Sequence, residues 1–297
     1  MGQPAVRVGV VDIGTNSMRL LITDGVHEVG RWVEVTGLGK GVDATGKLDG
    51  EAVERTVDVL RRFGEIMDRR RVERRAAMAT SASRDAENRE EFLERAESAL
   101  RVRPEVISGG REGILAFDGA TADFLLEEPI WVSDIGGGST EIVMYDDGFS
   151  IQMGSVRLTD RMSSTYPLPD EDYEAAMKLA WSAFQGLQFG EVATHVGVAG
   201  TWTSLAAIAQ DLPAYDPVKV HGFWLDTLDL DGVVDLLCGM TLEEIAAIPS
   251  LDPKRAPVIR AGAMVAHAVV GALGVDTTLI SVKDTLDGLA MELLGLT

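Results

Sequence analysis

Two short segments share a pattern that constrains the fold of this chain more than any other feature. DIGTNSMRLLI begins at Asp12 and DIGGGSTEIVM begins at Asp134. Both carry Asp-Ile-Gly, a serine five residues after the aspartate, and then an apolar run; each also follows a run rich in β-forming residues. Each copy therefore predicts a strand, a tight glycine turn and a second strand. An internal sequence repeat of this kind indicates a duplicated structural unit.

The apolar pattern around the two turns repeats in the same order. After the first turn, the sequence predicts strands near 18–24, 28–36, 75–79 and 105–107 and helices near 50–70, 86–100 and 112–125. After the second turn, it predicts strands near 140–145, 149–156, 193–198 and 276–282 and helices near 157–165, 170–188, 203–210, 230–239, 253–273 and 285–295. Two such halves predict an α/β protein of two similar lobes, 1–125 and 126–284, with a glycine turn from each facing the cleft between them.

The bulk composition narrows the class of protein. Hydrophobic residues make up 46% and charged residues 25% of the chain, as in soluble globular proteins. No stretch suggests a membrane span, and the N-terminus lacks the features of a signal peptide. A single cysteine, Cys238, lies in an apolar run and fits a buried thiol in a reducing cytoplasm. The net charge of −20 argues against a general nucleic-acid-binding role.

The glycine turns have a chemical interpretation and a structural one. Backbone N–H groups free of side chains form concave nests that bind anionic oxygens, and two facing nests can hold a phosphate from both sides. The acids Asp12 and Asp134 would then hold a cation or orient a water. The alternative is that the glycines only form turns and that the aspartates cap them.

Four ordered segments together resemble one known family. DIGTNSMRLLI, MATSASRDAEN (78–88), EVISGGREG (105–113) and DIGGGSTEIV are similar to the exopolyphosphatase and guanosine pentaphosphate phosphohydrolase family. This family belongs to the superfamily of acetate and sugar kinases, heat-shock cognate ATPases and actin. The resemblance implies two ribonuclease-H-like lobes with the active site in the cleft between them. It also implies hydrolysis of a terminal phosphoanhydride bond with Mg²⁺, or another divalent cation such as Mn²⁺.

Glu112 matches the catalytic glutamate of the family. A carboxylate among glycines near the start of a helix can reach a water molecule without obstruction, which suits a general base. The residues alone equally allow an acid that only decorates the first helical turn, where it favours the helix dipole.

The resemblance also assigns residues to phosphate binding. Arg84 matches an arginine of the family, and its planar guanidinium fits phosphate oxygens; the alternative is a surface arginine paired with Asp85 or Glu87. Arg19 could face the cleft or solvent. The two phosphate loops are expected to comprise Gly14, Thr15, Asn16 and Ser17 on one side and Gly136, Gly137, Gly138, Ser139 and Thr140 on the other.

Three acids are candidates for holding the metal or positioning the water. Asp134 and Glu141 match such positions in the family, and Asp12 begins the first turn. Asp12 and Asp134 could instead cap their turns, and Glu141 could be an exposed strand residue. The four histidines show no metal-ligand spacing and are interpreted as structural or surface residues.

The sequence departs from the family pattern beside the catalytic glutamate. Arg111 replaces the first of two adjacent glutamates, and Gly113 replaces a common alanine. Arg111 could pair with phosphate, or could lower the pKa of Glu112 and weaken it as a base. A third glycine turn in GVAGTWTSLAA (197–207) could shape the cleft or simply join a strand to a helix.

The expected substrate is inorganic polyphosphate or guanosine pentaphosphate, with no nucleic acid or membrane partner. Two alternatives remain open: a small-molecule kinase of the same superfamily, and a sensor that binds polyphosphate or the alarmone without catalysis. The resemblance further predicts a homodimer and a short form without an additional C-terminal helical domain. The terminal segment 285–297 is expected to pack back on the first lobe.

Overall fold

The computed structural model describes residues 6–145 and 147–296, which form two mixed β-sheets flanked by helices. Met1–Ala5, at the expected start of the first lobe, and Thr297, the end of the expected terminal segment, lie outside the described residues.

The first sheet is built around the first glycine turn. Its strands are Val8–Ile13 (β1), Ser17–Thr23 (β2), Glu28–Val35 (β3), Arg74–Ala79 (β4) and Glu105–Val106 (β5). They are arranged in the order β3-β2-β1-β4-β5, with β1, β2 and β3 antiparallel and β4 and β5 parallel to β1.

The second sheet repeats this arrangement around the second glycine turn. Its strands are Ile130–Ile135 (β6), Thr140–Met144 (β7), Asp147–Ile151 (β8), Thr194–Val198 (β9), Trp224–Asp226 (β10) and Thr277–Ile280 (β11). Their order, β10-β11-β9-β6-β7-β8, is that of the first sheet with β10 added at one edge. The predicted fold is confirmed: the protein has two similar ribonuclease-H-like lobes of the actin-like ATPase type.

The helices of the first half cover the sheet and begin with local signals in the sequence. They are Val42–Thr45 (α1), Gly50–Arg69 (α2), Ser81–Asp85 (α3), Arg89–Leu100 (α4) and Gly109–Thr121 (α5). At the start of α2, the side chain of Asp49 accepts a hydrogen bond from the amide of Ala52 at 2.9 Å. One face of α2 then buries Leu60 and Phe63 against the sheet.

The helices of the second half surround a larger core. They are Ser155–Arg161 (α6), Asp170–Ser182 (α7), Ala199–Ala209 (α8), Pro217–Val220 (α9), Thr227–Gly239 (α10), Leu242–Ala246 (α11), Ala256–Leu273 (α12) and Thr285–Leu294 (α13), with a short 3-10 helix at Pro253–Arg255. The combined helical segment Pro253–Leu273 is long and apolar enough to cross a membrane, contrary to the expectation from sequence, but 72% of its apolar window is buried inside the fold. It is therefore the central core helix of the second lobe.

Short elements account for most of the differences from the predicted secondary structure. The sequence did not predict α1, α3, α9, α11 or β10, which have five residues or fewer. Such elements depend on tertiary contacts more than on local periodicity. The edge strand β10 buries Leu225 in the core of the second lobe, whereas Trp224 beside it is 50% exposed.

A group of buried polar side chains in the second core is paired around His195. His195 lies with its Nε2 2.8 Å from Ser133 Oγ and its Nδ1 2.9 Å from Thr278 Oγ1, and Trp202 Nε1 donates to Ser133 Oγ at 2.9 Å. Burial lowers the pKa of His195 to about 3 and raises the pKa of the buried Cys238 thiol to about 11. Both side chains therefore stay neutral and belong to the core.

Two helices are exchanged between the lobes. The helix α5 follows the first sheet in sequence, but Ala116 and Ala120 pack on strands of the second sheet. Conversely, α13 follows the second sheet, but Leu286 and Ala290 pack on β1, β2 and β4 of the first sheet. The two helices cross each other closely, and this crossing joins the lobes.

The crossing depends on glycine at position 119. A Cβ atom there would overlap the backbone carbonyl oxygen of Asp284, whereas a Cβ at Gly110 in the same helix would meet nothing nearer than Ser108 Oγ at 4.0 Å. We expect Gly119→Ala to lower the free energy of unfolding by about 1–3 kcal/mol, the range for overpacking. Gly110→Ala should be neutral or stabilising by up to about 1 kcal/mol.

Urea unfolding of the two variants beside the wild type measures both effects. Equal stabilities for Gly119→Ala and Gly110→Ala would contradict the close crossing of α5 and α13.

Candidate active site

A small cavity lies between the two glycine turns. Its volume is about 60 Å³, room for roughly four to six water-sized groups and therefore suited to one phosphoryl group. The predicted residues that line it are Asp12, Gly14, Thr15, Asn16, Ser17, Glu112, Asp134, Gly136, Gly137, Gly138 and Ser139. The structure thus brings eleven of the predicted site residues to one cavity.

The two turns have the same backbone geometry. The amide of Gly14 donates to Ser17 O at 3.1 Å, and the amide of Gly136 donates to Ser139 O at 3.0 Å. Side chains cannot be accommodated between the turns, because a Cβ at Gly137 would lie 2.8 Å from Thr15 Cβ. The glycines therefore let the two lobes approach each other closely around the cavity.

Glu112 lies in the first turn of α5, whose N-cap residue is Ser108. Its Oε2 accepts a hydrogen bond from Arg84 Nη1 at 2.7 Å. Burial, and next the negative charge of Glu141, raise the pKa of Glu112 well above that of an ordinary glutamate, while Arg84 opposes the shift. A buried acid with a raised pKa at the wall of a cavity suits proton transfer.

Arg84 holds the Glu112 side chain by a hydrogen bond from outside the cavity lining. Besides Glu112, Arg84 Nη1 donates to Ile107 O at 3.0 Å, and Arg84 Nη2 donates to Ser139 Oγ at 3.3 Å. Arg84 is not among the residues that line the small cavity; it lines a larger open groove on the other side. Its direct partners are thus Glu112, the Ile107 carbonyl and the second glycine turn, and Glu141 Oε1 lies 3.8 Å from Nη2.

Two further charged residues could not be assigned from the sequence: Arg19, which lines the small cavity, and Asp284, which contacts Arg19 and lines the adjoining cavity. Arg19 donates to Asp12 Oδ2 through Nε at 2.8 Å and also contacts Asp284, the N-cap residue of α13. Burial opposes the charge on Arg19, but Asp284, Asp12 and Asp134 outweigh it and raise the pKa of the guanidinium. Asp284 reaches the cleft only because α13 returns to the first lobe.

The two acids that line the cavity beside Arg19 have raised pKa values. Burial raises the pKa of Asp12, although Arg19 counteracts it. Burial also raises the pKa of Asp134, to about 6, and Thr285 Oγ1 donates to Asp134 Oδ2 at 3.1 Å. Additional positive charge in the cavity would therefore stabilise the ionised form of both carboxylates.

Two predicted residues are placed differently from expectation. Thr140, predicted to bind phosphate, is fully buried, donates through Oγ1 to Met153 O at 2.6 Å and does not line the cavity. Glu141 is 1% exposed, not an exposed strand residue, and lies outside the cavity lining with Oε1 accepting from Ser150 Oγ at 2.8 Å. Burial, and next Asp134, raise the pKa of Glu141.

Arg111 points away from the cavity. Its guanidinium pairs with Glu292 on α13, and its side chain is 38% exposed. It contacts neither Glu112 nor the glycine turns, so neither role considered for it from the sequence is supported. The neighbouring Gly113 has a packing role, because a Cβ there would overlap the side chain of Val143.

The third glycine turn contributes to the cavity. Ala199 adopts a left-handed conformation with φ 66°, and Ala199, Gly200 and Thr201 line the cavity. The guanidinium of Arg255 occupies the space where a Gly200 side chain would lie. Arg255 lines both this cavity and an adjoining one of about 660 Å³.

The acids do not form a complete metal site by themselves. Within residues 6–145 and 147–296, no three histidine, cysteine, aspartate or glutamate side chains form a cluster able to hold a metal ion. Asp12 and Asp134 nevertheless offer two carboxylates at the cavity, and Asp12 Oδ1 is buried with no hydrogen-bond partner in the described structure. A Mg²⁺ site commonly uses one or two carboxylates together with water and substrate phosphates.

The fold and the cavity define an actin-like ATPase-fold protein with a phosphate-sized site between its lobes, and the comparisons give the family. The Ppx/GppA phosphatase family profile matches residues 6–295. The chain is 36% identical to Exopolyphosphatase 2 of Mycobacterium tuberculosis, over 97% of this chain and 99% of that protein. The chain belongs to the Ppx/GppA phosphatase family.

Solved structures agree with this assignment. The crystal structure of an exopolyphosphatase-like protein has a TM-score of 0.92 and 35% identity to this chain, covering 98% of this chain and 99% of that one. The Aquifex aeolicus PPX-GPPA enzyme has a TM-score of 0.81 and 32% identity, covering 97% of this chain and 100% of that one.

Arg84 and Arg111 provide a matched pair of arginines near Glu112. Because Arg84 holds Glu112 and Ser139 through charged hydrogen bonds, Arg84→Gln should lower phosphatase kcat/KM by about a hundredfold or more. Arg111→Gln should stay within about twofold of wild type, since it breaks only an exposed ion pair. Phosphate release from polyphosphate measures both; a comparable loss in the two variants would contradict the separate placement of the two arginines.

Proposed function

We propose that this protein hydrolyses the terminal phosphoanhydride bond of inorganic polyphosphate and releases orthophosphate. The observation that carries the proposal is Glu112, a buried acid with a raised pKa at the wall of a phosphate-sized cavity between two glycine turns. The family membership and the named exopolyphosphatases among its relatives support the same reaction.

Glu112 acts as the general base in this proposal. Arg84 donates a hydrogen bond to Oε2 of Glu112. The other carboxylate oxygen, Oε1, has no hydrogen-bond partner among the described residues and is available to a water molecule. The ionised carboxylate orients the water and accepts its proton as the water oxygen attacks the terminal phosphorus. The backbone N–H groups of the two turns hold the phosphate oxygens.

The leaving chain departs on the opposite side of the cavity. Attack in line with the breaking bond requires the leaving oxygen to lie opposite the attacking water. Glu112 lines the small cavity but not the adjoining one of 660 Å³, whereas Arg255 lines both. We therefore place the second phosphate near Arg255 and the remainder of the substrate in the larger cavity.

A divalent cation, Mg²⁺ or Mn²⁺, would be held by Asp12 and Asp134. Their raised pKa values and the unpaired Oδ1 of Asp12 fit such an ion, and the substrate would supply further oxygens. When bound, the ion would neutralise negative charge on the phosphates. Glu141 lies behind the cavity lining and would act on this site through charge only.

The lining and the size of the larger cavity favour a second candidate substrate, guanosine pentaphosphate. Its lining combines Tyr215 and apolar residues such as Val33 and Leu251 with arginines, of which Arg19 and Arg31 are bound to carboxylates. A long polyphosphate chain needs a cationic path, whereas a nucleoside suits a partly apolar cavity of this size. Both substrates present the same terminal bond to Glu112.

Phosphate release in the presence of Mg²⁺ tests the proposal and separates the two substrates. We expect Glu112→Gln to lower kcat by at least about 100-fold, within the usual range for general-base catalysis. Glu292→Gln, at an exposed glutamate on α13, serves as the matched control and should retain activity. The ratio of kcat/KM for guanosine pentaphosphate to that for polyphosphates of several lengths identifies the preferred substrate.

Lack of turnover of any of these substrates by the wild type would refute the proposed hydrolase. Full activity of Glu112→Gln would refute the role of Glu112 while leaving the reaction in place.

The raised pKa of Glu112 predicts the pH profile. The base must be ionised, so kcat/KM should rise with pH along an acid limb whose midpoint lies above 4.5, the ordinary glutamate value. Because Arg84 lowers the pKa of Glu112, the residual activity of Arg84→Gln should show a midpoint at higher pH than wild type. A midpoint at or below 4.5, or a shift of the variant to lower pH, would contradict this account.

A further inference from the structure

A buried hydroxyl group in the cavity wall has no partner. Ser81, at the start of α3, is 2% exposed, and its Oγ has no hydrogen-bond partner among the described residues. An unsatisfied buried hydroxyl costs about 1–3 kcal/mol, and most such groups in native proteins are paired. Its retention therefore needs an explanation.

The position of Ser81 supplies one. Ser81 belongs to the first lobe and lines the small cavity together with the glycine turns of both lobes. Its Oγ lies against Gly138, where a Cβ atom would overlap it. The hydroxyl therefore stands at the closest approach of the first lobe to the second phosphate loop.

Two other hydroxyl groups in the same wall already accept hydrogen bonds from the protein. Thr15 Oγ1 accepts from the amide of Ala82 at 3.3 Å, and Ser139 Oγ accepts from Arg84 Nη2 at 3.3 Å. The first of these bonds also fixes the start of α3 against the first turn. Ser81 is thus held rigidly in place with a donor that the protein itself does not use.

We propose that the Ser81 hydroxyl donates a hydrogen bond to a non-bridging oxygen of the terminal phosphate, as a substrate-binding residue supplied by neither glycine turn. The phosphate oxygen satisfies a hydroxyl that has no partner among the described residues, so the bond forms without displacing an internal partner. This inference rests on the proposed phosphatase reaction. A bond of this kind to a charged oxygen is worth a factor of about ten to a hundred in affinity.

Ser83 provides a matched control two residues further along the same helix. It is fully buried, and its Oγ likewise has no partner among the described residues, but it does not line the cavity. Replacing either serine by alanine removes one unsatisfied hydroxyl from the interior. Only at Ser81 does the change also remove a donor that faces the substrate.

The experiment compares Ser81→Ala and Ser83→Ala with wild type. We expect Ser81→Ala to lower kcat/KM for phosphate release by roughly ten- to hundredfold and to weaken orthophosphate binding, measured by calorimetry, by a similar factor. Ser83→Ala should stay within about twofold in both measurements. Neither variant should have a lower melting temperature than wild type without ligand, because each loses an unpaired buried group.

This combination separates substrate binding from a structural role, in which activity and stability would fall together. Wild-type kinetics and orthophosphate affinity in Ser81→Ala would overturn the inference, as would an equal loss in Ser83→Ala. If the wild type releases no phosphate from any substrate, the proposed function fails, and orthophosphate binding still decides the role of Ser81.

Discussion

The crossing of α5 and α13 is the contact on which the geometry of the cleft depends. Gly119 lies against the Asp284 carbonyl, and Gly288 lies against the Leu115 carbonyl, so the two backbones touch without side chains between them. Each helix packs on the sheet of the other lobe and begins at the cleft. The crossing therefore fixes Glu112, in the first turn of α5, relative to Asp284, the N-cap residue of α13.

The charges of the cleft explain how an acidic protein can accept a polyanion. The net charge of −20 repels phosphate at long range, but Arg19 lines the cavity and Arg84 lies just outside its lining, each bound to a buried carboxylate. Those pairs are nearly neutral, so they reduce repulsion without providing a strongly cationic surface. Binding then depends on backbone N–H groups and hydroxyls at short range, which favours one well-placed phosphate over a loosely held chain.

The parts of the site that the sequence predicted are those encoded locally. The glycine turns and Glu112 each lie within a few residues of the strand or helix that positions them, so a short motif was sufficient. The alternation of side chains in a strand also explains the placement of Thr140, which follows the cavity-lining Ser139 but directs its hydroxyl to Met153 O.

The residues that the sequence analysis did not assign reach the cleft through long-range packing. Asp284 arrives because α13 crosses to the first lobe, and Arg255 arrives because the core helix α12 starts beside the third glycine turn. The placement of Arg111 on Glu292 depends on the same crossing. No local pattern distinguishes such residues from surface arginines and acids before the helices are packed.

The two copies of the duplicated hairpin carry opposite charges at one equivalent position, where the first has Arg19 and the second has Glu141. In the first copy Asp12 lies opposite Arg19, and in the second Asp134 lies opposite Glu141 at the equivalent position. Opposite charges across a strand pair stabilise each other. In the second copy burial raises the pKa of both acids, and the charge of Asp134 raises the pKa of Glu141 further. The second hairpin has no internal cation opposite its acid, so the charge of the proposed divalent ion matters most beside Asp134. In the first hairpin Arg19 already binds Asp12 Oδ2, and Asp12 Oδ1, which has no partner among the described residues, is left to complete the proposed ion site.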